Sequence, residues 1–521
     1  MVMKDNCLME PNNPLAVPEL LVQIGLYLGR PTLASSIRVS RFWYNLLLPR
    51  LWYDLRIKRK EKRPPMDTFR KNAAYIRRLS IDYPLAWEME TVNMSFPYLS
   101  TLDYRSGAYE DSMLLRTYFI KKHAATLIDV TTDAMRPPTL EALNDCPNLT
   151  RLQIHGNPLK KLFKQEVWPI QEWIRQYKSL WSRLLFLSLS DLSSWTEHSS
   201  LFKETQTTWI RSSGCDNTDA DVSHIQELRI CHPIASFQAY TWLIEYCPDL
   251  RRLTWVIPFQ TYNQLHEFSP MQQLADWVQA AGPTCQHLEE IALPRLLFRN
   301  EDWRRLLSSV RRLSCLDLSK SAFNLESWNI LQAHPRHLKT LQRLDLRGCS
   351  DLTGKATHAM MCEMPNLEVF RAGGIISSLD LLEDPRPWCC LGLKELALEF
   401  MNVPEGVDRE MLLLNSDQRR ARIAQSNIDE TVFVASGESE DVFSLITGLR
   451  SLETLSAFSI LNHYGTRQEL KVPGQLDQWL GSLERLRKLG PEVVGIGERE
   501  KQWFRQHWPM IEIDTLAPRF R

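Results

Sequence analysis

Apolar residues recur through this chain in a six-residue frame, Leu-x-x-Leu-x-Leu, separated by longer stretches with helical spacing. Clear instances are LTRLQI at 149, LLFLSL at 184, IQELRI at 225, LRRLTW at 250, LEEIAL at 288, LSCLDL at 313, LQRLDL at 341, LEVFRA at 367 and LKELAL at 393. Weaker ones are IRRLSI at 76, LSTLDY at 99, LIDVTT at 127 and LETLSA at 452. Within each frame apolar and polar residues alternate, which predicts a short strand buried on one face. Such a strand leaves its edge unpaired unless a copy of itself stacks beside it. Intervening segments such as SFQAYTWLIEY at 236 and MQQLADWVQAA at 271 carry apolar residues three and four apart and predict helices.

The spacing is regular over part of the chain. Leu316 to Leu344 is 28 residues, Leu344 to Phe370 is 26 and Phe370 to Leu396 is 26, the period of a strand-and-helix repeat array. Elsewhere the units are enlarged, with gaps of 35, 41 and 38, and 59 residues separate Leu396 from Leu455. The segment from about 401 to 447 therefore reads as an insertion, either a degenerate repeat with a solvated excursion or a partner-contacting loop. Punctuation recurs before the strands: CPNL at 146, CPDL at 247, MPNL at 364 and FPYL at 96. Proline at these points stops a helix and sets an extended entry.

These residues resemble the leucine-rich repeats, and one unit carries the signature of their cysteine-containing subtype in Leu344, Leu346, Cys349, Leu352 and Thr353. The resemblance implies an α/β solenoid with parallel strands on a concave face and helices on a convex face, over residues 71–521. Side chains alternating with the inward leucines would face a bound protein. Arg229, Arg252, Arg343, Asp345, Arg347 and Arg371 occupy such positions, together with Asp317, Glu395 and Glu399. Arg343, Arg347 and Arg371 form either a basic patch for an acidic or phosphorylated segment or part of a mutually neutralised surface.

The first 60 residues show no strand signal. After a polar tail at 1–13, residues 14–57 read as three short helices. In the first, Pro18 suits an opening position, and Leu20, Leu21, Ile24 and Leu28 form a stripe. A second runs from about Thr32 through Val39, and a third carries Phe42, Trp43 and Leu46. Residues 58–70, beginning KRKEKR after Ile57, read as a basic linker or a nuclear-import patch.

Pro18-Glu19-Leu20-Leu21, Ile24, Tyr27-Leu28, Leu33, Val39, Trp43 and Leu51-Trp52 resemble an F-box in order and near its spacing. That resemblance implies docking on a Skp-type adaptor, and through it a cullin, with the repeats selecting a protein substrate for ubiquitin transfer. Pro18, Leu21, Ile24, Leu28, Leu33, Val39 and Trp43 would be the adaptor-facing or motif-core positions. Val17, Thr32 and Ser40 depart from the common residues of that pattern. A helical cap sealing the first repeat is the simpler alternative.

Composition narrows the picture. Apolar residues make up 44% and charged residues 24%, the balance of a folded chain. The 62 basic and 62 acidic residues cancel, so no global field favours nucleic acid or an anionic membrane. No span of roughly 18 apolar residues or export signal is evident. The eleven cysteines include no CxxC pair, which fits a reducing cytoplasmic or nuclear compartment better than a disulfide framework or a zinc site.

Catalytic patterns fail at their working residues, so neither an enzyme nor a cofactor is expected. In LDLRGCSDLTGKA (344–356) five residues separate Gly348 from Gly354, one more than a phosphate loop allows, and Ala356 replaces the hydroxyl. GIGERE at 495 has Glu500 where a dinucleotide fingerprint needs glycine. HPRH at 334 reads as a surface loop.

Overall fold

The structure is a computed structural model that describes residues 17–57, 64–82, 87–105, 110–133, 137–155, 176–190, 223–231, 244, 247–256, 287–296, 298–349, 351–401, 445–446, 448–461, 482–489 and 498–513. The chain forms two compact units, Met1–Ser236 and Phe237–Arg521.

The first unit opens with α1 (Pro18–Tyr27), α2 (Arg30–Ser36) and α3 (Arg41–Tyr53). Leu21, Leu33 and Leu47 form their core, with Leu28, Ile37, Phe42, Trp43, Leu46 and Leu51 packed around it. A Cβ on Gly25 would lie 2.7 Å from Leu47 Cδ2, so glycine allows the close approach of α1 to α3. Ser40 caps α3, its Oγ accepting from Trp43 N at 3.1 Å.

Seven parallel strands follow in sequence order: β1 (Asp54–Ile57), β2 (Arg78–Asp82), β3 (Thr101–Arg105), β4 (Asp129–Asp133), β5 (Arg151–His155), β6 (Phe186–Ser190) and β7 (Glu227–Cys231). Leu55, Leu79, Leu102, Val130, Leu152, Leu187 and Leu228 stand in register and point inward, all buried. The next inward row breaks its apolar pattern once, at Thr132. There the buried Arg116, from the helix Glu110–Lys122, donates to Thr132 Oγ1 at 3.1 Å and pairs with Asp133. A buried cation is tolerable where a carboxylate pairs with it, although Arg116 Nε has no hydrogen-bond partner among the described residues.

The second unit continues the pattern with β8 (Arg252–Val256), β9 (Glu290–Ala292), β10 (Cys315–Asp317), β11 (Arg343–Leu346), β12 (Val369–Ser377), β13 (Glu395–Met401), β14 (Thr454–Leu461), β15 (Lys488–Leu489) and β16 (Glu512–Ile513), again parallel and in order. Its inward row runs Leu253, Ile291, Leu316, Leu344, Phe370, Leu396, Leu455, Leu489 and Ile513. A fully buried leucine or phenylalanine contributes roughly 1.5–3 kcal/mol, so this apolar row is a major part of what holds the strands in register.

The turn leaving each strand explains the glycines of LDLRGCSDLTGKA. Arg295, Lys320 and Gly348 occupy equivalent places in three successive repeats, with φ of 63°, 58° and 71°. Backbone bonds carry the ladder past the strand ends, Arg295 N to Ser319 O at 2.7 Å and Lys320 N to Arg347 O at 2.6 Å. Cys349 is buried and donates to Leu318 O at 3.2 Å, and Thr353 caps the helix Gly354–Glu363 through a bond from Ala356 N. Gly354 is needed for packing: a Cβ there would meet Ile375 O at 2.2 Å.

The recurring Pro-Asn pair also has a physical role. Asn148 Nδ2 donates to Ala125 O at 2.8 Å and Asn366 Nδ2 to Lys339 O at 2.7 Å, in each case tying a turn to the preceding repeat. In FPYL the tyrosine takes another route, with Arg77 stacked 4.1 Å over the Tyr98 ring. Helix ends are completed across repeats as well. Lys122 donates to Val92 and Asn93 carbonyls, Arg183 to those of Leu143 and Asn144, and Arg336 to those of Leu307 and Ser308. Each cation meets the negative end of an earlier helix.

Several expectations need correction. Residues 14–57 are not wholly helical, because Asp54-Leu55-Arg56-Ile57 forms β1 and pairs with β2. The second helix ends at Ser36 rather than Val39. The linker 58–70 runs into a helix, Met66–Asn72, whose Phe69 is buried between the Trp52 and Phe96 rings. HPRH is not a surface loop: Pro335 opens the helix Pro335–Thr340 and His337 is fully buried, its Nε2 2.9 Å from Leu307 O. The tail 1–13, the helical stretches at 236 and 271 (apart from Ile244) and nearly all of 401–447 lie outside the described residues.

Candidate interaction surfaces

Three surfaces carry the sequence-predicted positions. On the N-terminal helices, Leu21 and Leu33 form the core, and Leu28 and Trp43 pack against it half-buried. Pro18, Ile24 and Val39 are exposed. Around them α1 leaves Val17, Leu20, Val22, Leu26 and Tyr27 open to solvent, Tyr27 at 87% and, beyond α2, Val39 at 63%. Burial of Leu21 and Gly25 alone leaves α1 apolar on most of its circumference.

The open face of the first unit's sheet carries short polar side chains at its centre. Rows in register bring together Ser80, Asp103, Thr131, Gln153, Ser188 and Arg229. Asp103 accepts from Ser80 Oγ at 3.1 Å and from Arg105 Nε at 2.9 Å. Burial raises the Asp129 carboxyl above its ordinary range, partly opposed by Arg151 and Arg78. Phe186 is covered by two guanidinium groups, Arg151 at 4.1 Å and Arg229 at 5.4 Å from its ring centre. Arg229 is also held by Glu227 at 2.6 Å. Toward the strand ends Ser190 Oγ and His155 Nδ1 lie 2.5 Å apart.

The open face of the second unit carries long, paired charges. Arg347 Nη2 donates to Asp345 Oδ2 at 2.8 Å, Arg371 Nη1 to the same oxygen at 3.2 Å, and Arg371 Nε to Glu395 Oε1 at 2.7 Å. Asp345 Oδ1 also accepts from Arg347 N at 3.2 Å, as Asp317 Oδ1 does from Ser319 N at 2.9 Å. These aspartates therefore shape the turns as well as the face. Arg252 pairs with Glu290 at 2.8 Å. The structure thus brings Arg343, Asp345, Arg347 and Arg371 together but does not leave three open arginines, since two are neutralised by carboxylates. Arg229 belongs to the first unit.

Among the described residues no group of three or more His, Cys, Asp or Glu side chains is placed to hold a metal ion, and no helix is long and apolar enough to cross a membrane. The described thiols with resolved shifts are held above their ordinary range by burial: Cys146, Cys362 and Cys390 at about 12, Cys315 at about 11, and Cys349 and Cys389 in the same direction. They are poor nucleophiles in this setting.

No family model matches the chain, and no curated protein does. Among solved structures it is similar to a leucine-rich-repeat protein of Leptospira interrogans, at 13% identity and a TM-score of 0.29, over 88% of this chain and 100% of that one. TLR13 in its complex with ssRNA13 matches at 14% identity and a TM-score of 0.33, over 81% of this chain and 57% of that one. The ladder itself identifies the architecture. Parallel strands in strict order, one inward leucine row per unit and helices between strands define a leucine-rich-repeat-like solenoid preceded by a helical cluster.

Proposed function

We propose that this chain is a protein-interaction scaffold whose repeats present an open, polar sheet face to a partner protein. The observation that carries this reading is the separation of roles along each strand. The inward side chains are spent on the apolar rows, whereas the outward ones, apart from Phe186 and Ala397, are mostly polar and set in register across neighbouring rungs about 4.8 Å apart.

A narrower reading, favoured by the helical cluster, is that the scaffold is the substrate-recognition subunit of an SCF-type ubiquitin ligase. Its support is the F-box resemblance together with the apolar surface that α1 leaves exposed. In this reading Ile24 and Val39 contact a Skp-type adaptor, Pro18 opens α1 toward it, and Leu21, Leu28, Leu33 and Trp43 maintain the shape that presents them. The full chain should co-elute with purified Skp-type adaptor, and Ile24→Asp with Val39→Asp should weaken that association at least about tenfold without unfolding, since both positions are exposed. Failure of the intact chain to bind, or equal binding by the double variant, removes the ligase reading and leaves the scaffold.

A further inference from the structure

Among the described residues most charges on the second unit's open face are paired with one another, whereas Arg343 and Asp317 face no opposite side-chain charge in an ion pair. In register across the sheet, the first outward row reads Arg252, Glu290, Cys315, Arg343, Val369, Glu395, Thr454, Lys488 and Glu512. Arg252 is bonded to Glu290, and Lys488 stands 3.8 Å from Glu512. Glu395 is taken by Arg371, which shares Asp345 with Arg347. Arg343 is exposed, and among the described residues its guanidinium has no hydrogen-bond or ion-pair partner. Its neighbours in the row are the uncharged, half-buried Cys315 and Val369. The nearest outward carboxylates are engaged: Asp317 by the Ser319 amide, Asp345 by two arginines and the Arg347 amide.

We infer that Arg343 is the anchor of a docking site for a protein segment that presents a carboxylate flanked by apolar side chains. The occupant follows from charge complementarity. A guanidinium bonds a carboxylate through two parallel donors, and among the described residues no carboxylate is bonded to that of Arg343. Cys315 and Val369, one rung to either side at about 4.8 Å per rung, offer small apolar contacts next to the charge. Beyond them the Arg252–Glu290 and Arg371–Glu395 pairs form neutral borders that neither attract nor repel a further charge. This assignment rests on the scaffold reading, and it narrows the three-arginine patch expected from sequence to one contact residue, with Arg347 and Arg371 as part of the frame.

The test uses the full chain and a fluorescein-labelled peptide in which a glutamate lies between valines, read by fluorescence anisotropy, beside the same peptide with glutamine. The glutamate peptide should bind, more weakly as salt rises. Arg343→Gln should weaken it about tenfold or more, as loss of one charge-assisted bond implies, and Arg343→Glu should abolish it. Arg105→Gln makes the same change in net charge on the first unit's face and should leave binding unchanged. Equal binding of the two peptides, equal effects of Arg343→Gln and Arg105→Gln, no binding by the intact chain, or binding only of a phosphoserine version would each overturn the proposal. Because Arg343 lies outside the N-terminal helices, adaptor co-elution should be unaffected by Arg343→Glu, so failure here is distinct from failure of the ligase reading.

Discussion

The two units share one inward architecture and differ in their outward faces. In the first, Ser80, Thr131, Gln153 and Ser188 line the centre of the sheet, and the arginines cover an aromatic ring or pair locally. In the second, a chain of arginines and carboxylates, Arg347–Asp345–Arg371–Glu395, runs across three rungs. The inward apolar rows are therefore what the two units share, and many of the outward positions have diverged. The stability of each unit should depend mainly on its apolar row, and recognition should depend on side chains that can be exchanged without losing the fold.

The largest expected effect breaks the shared part. Phe370→Ala removes a fully buried ring from the second unit's inward row and should cost about 3–5 kcal/mol. Hydrogen exchange should show protection lost in β11–β13 and retained in β2–β5; equal loss in both units would mean that the rows do not act locally.

A second effect tests what the units have in common. His123 in the first and His337 in the second are both buried, and burial pushes each imidazole down to about 4, with Lys122 adding to the effect at His123 and the Leu307 carbonyl opposing it at His337. An unfolded histidine titrates near 6.5, so between pH 6.5 and 4 the unfolded chain binds more protons. The stability present above pH 6.5 should fall across that window, by on the order of 3 kcal/mol for each histidine. Urea midpoints measured from pH 7 to 4 should show the decline, and His337→Asn should flatten part of it.

The smallest effect sharpens the contrast between faces. Asp345→Ala removes the shared partner of Arg347 and Arg371 together with a turn bond, and should cost about 2–3 kcal/mol. Asp103→Ala, at a carboxylate more exposed than Asp345, should cost no more than about 1 kcal/mol. Similar shifts in the thermal midpoint for the two variants would mean that the faces differ only in appearance.

Much of the ladder is legible in the chain. The clear Leu-x-x-Leu-x-Leu frames coincide with β5–β13, and the weaker ones at 76, 99, 127 and 452 with β2, β3, β4 and β14. What escaped detection did so for identifiable reasons. Asp54-Leu55-Arg56-Ile57 alternates correctly but follows a helix without punctuation, and β15 and β16 are two residues each. HPRH looked polar, yet burial of His337 depends on a carbonyl 30 residues away. At the candidate site, sequence placed Arg343, Asp345, Arg347 and Arg371 on one face. It did not show which arginines were already paired, because that depends on register between strands 26 residues apart.

The cationic caps between repeats also bear on how the chain is made. The helix Trp87–Asn93 receives Lys122 from 30 residues downstream, the helix Pro137–Asn144 receives Arg183 from 40, and the helix Asn300–Ser309 receives Arg336 from 29. During translation each helix emerges with its carbonyls uncapped and waits on the order of seconds for its partner cation. Nascent chains that have not yet exposed Lys122, Arg183 or Arg336 are thus the lengths at which the helices Trp87–Asn93, Pro137–Asn144 and Asn300–Ser309 lack these caps.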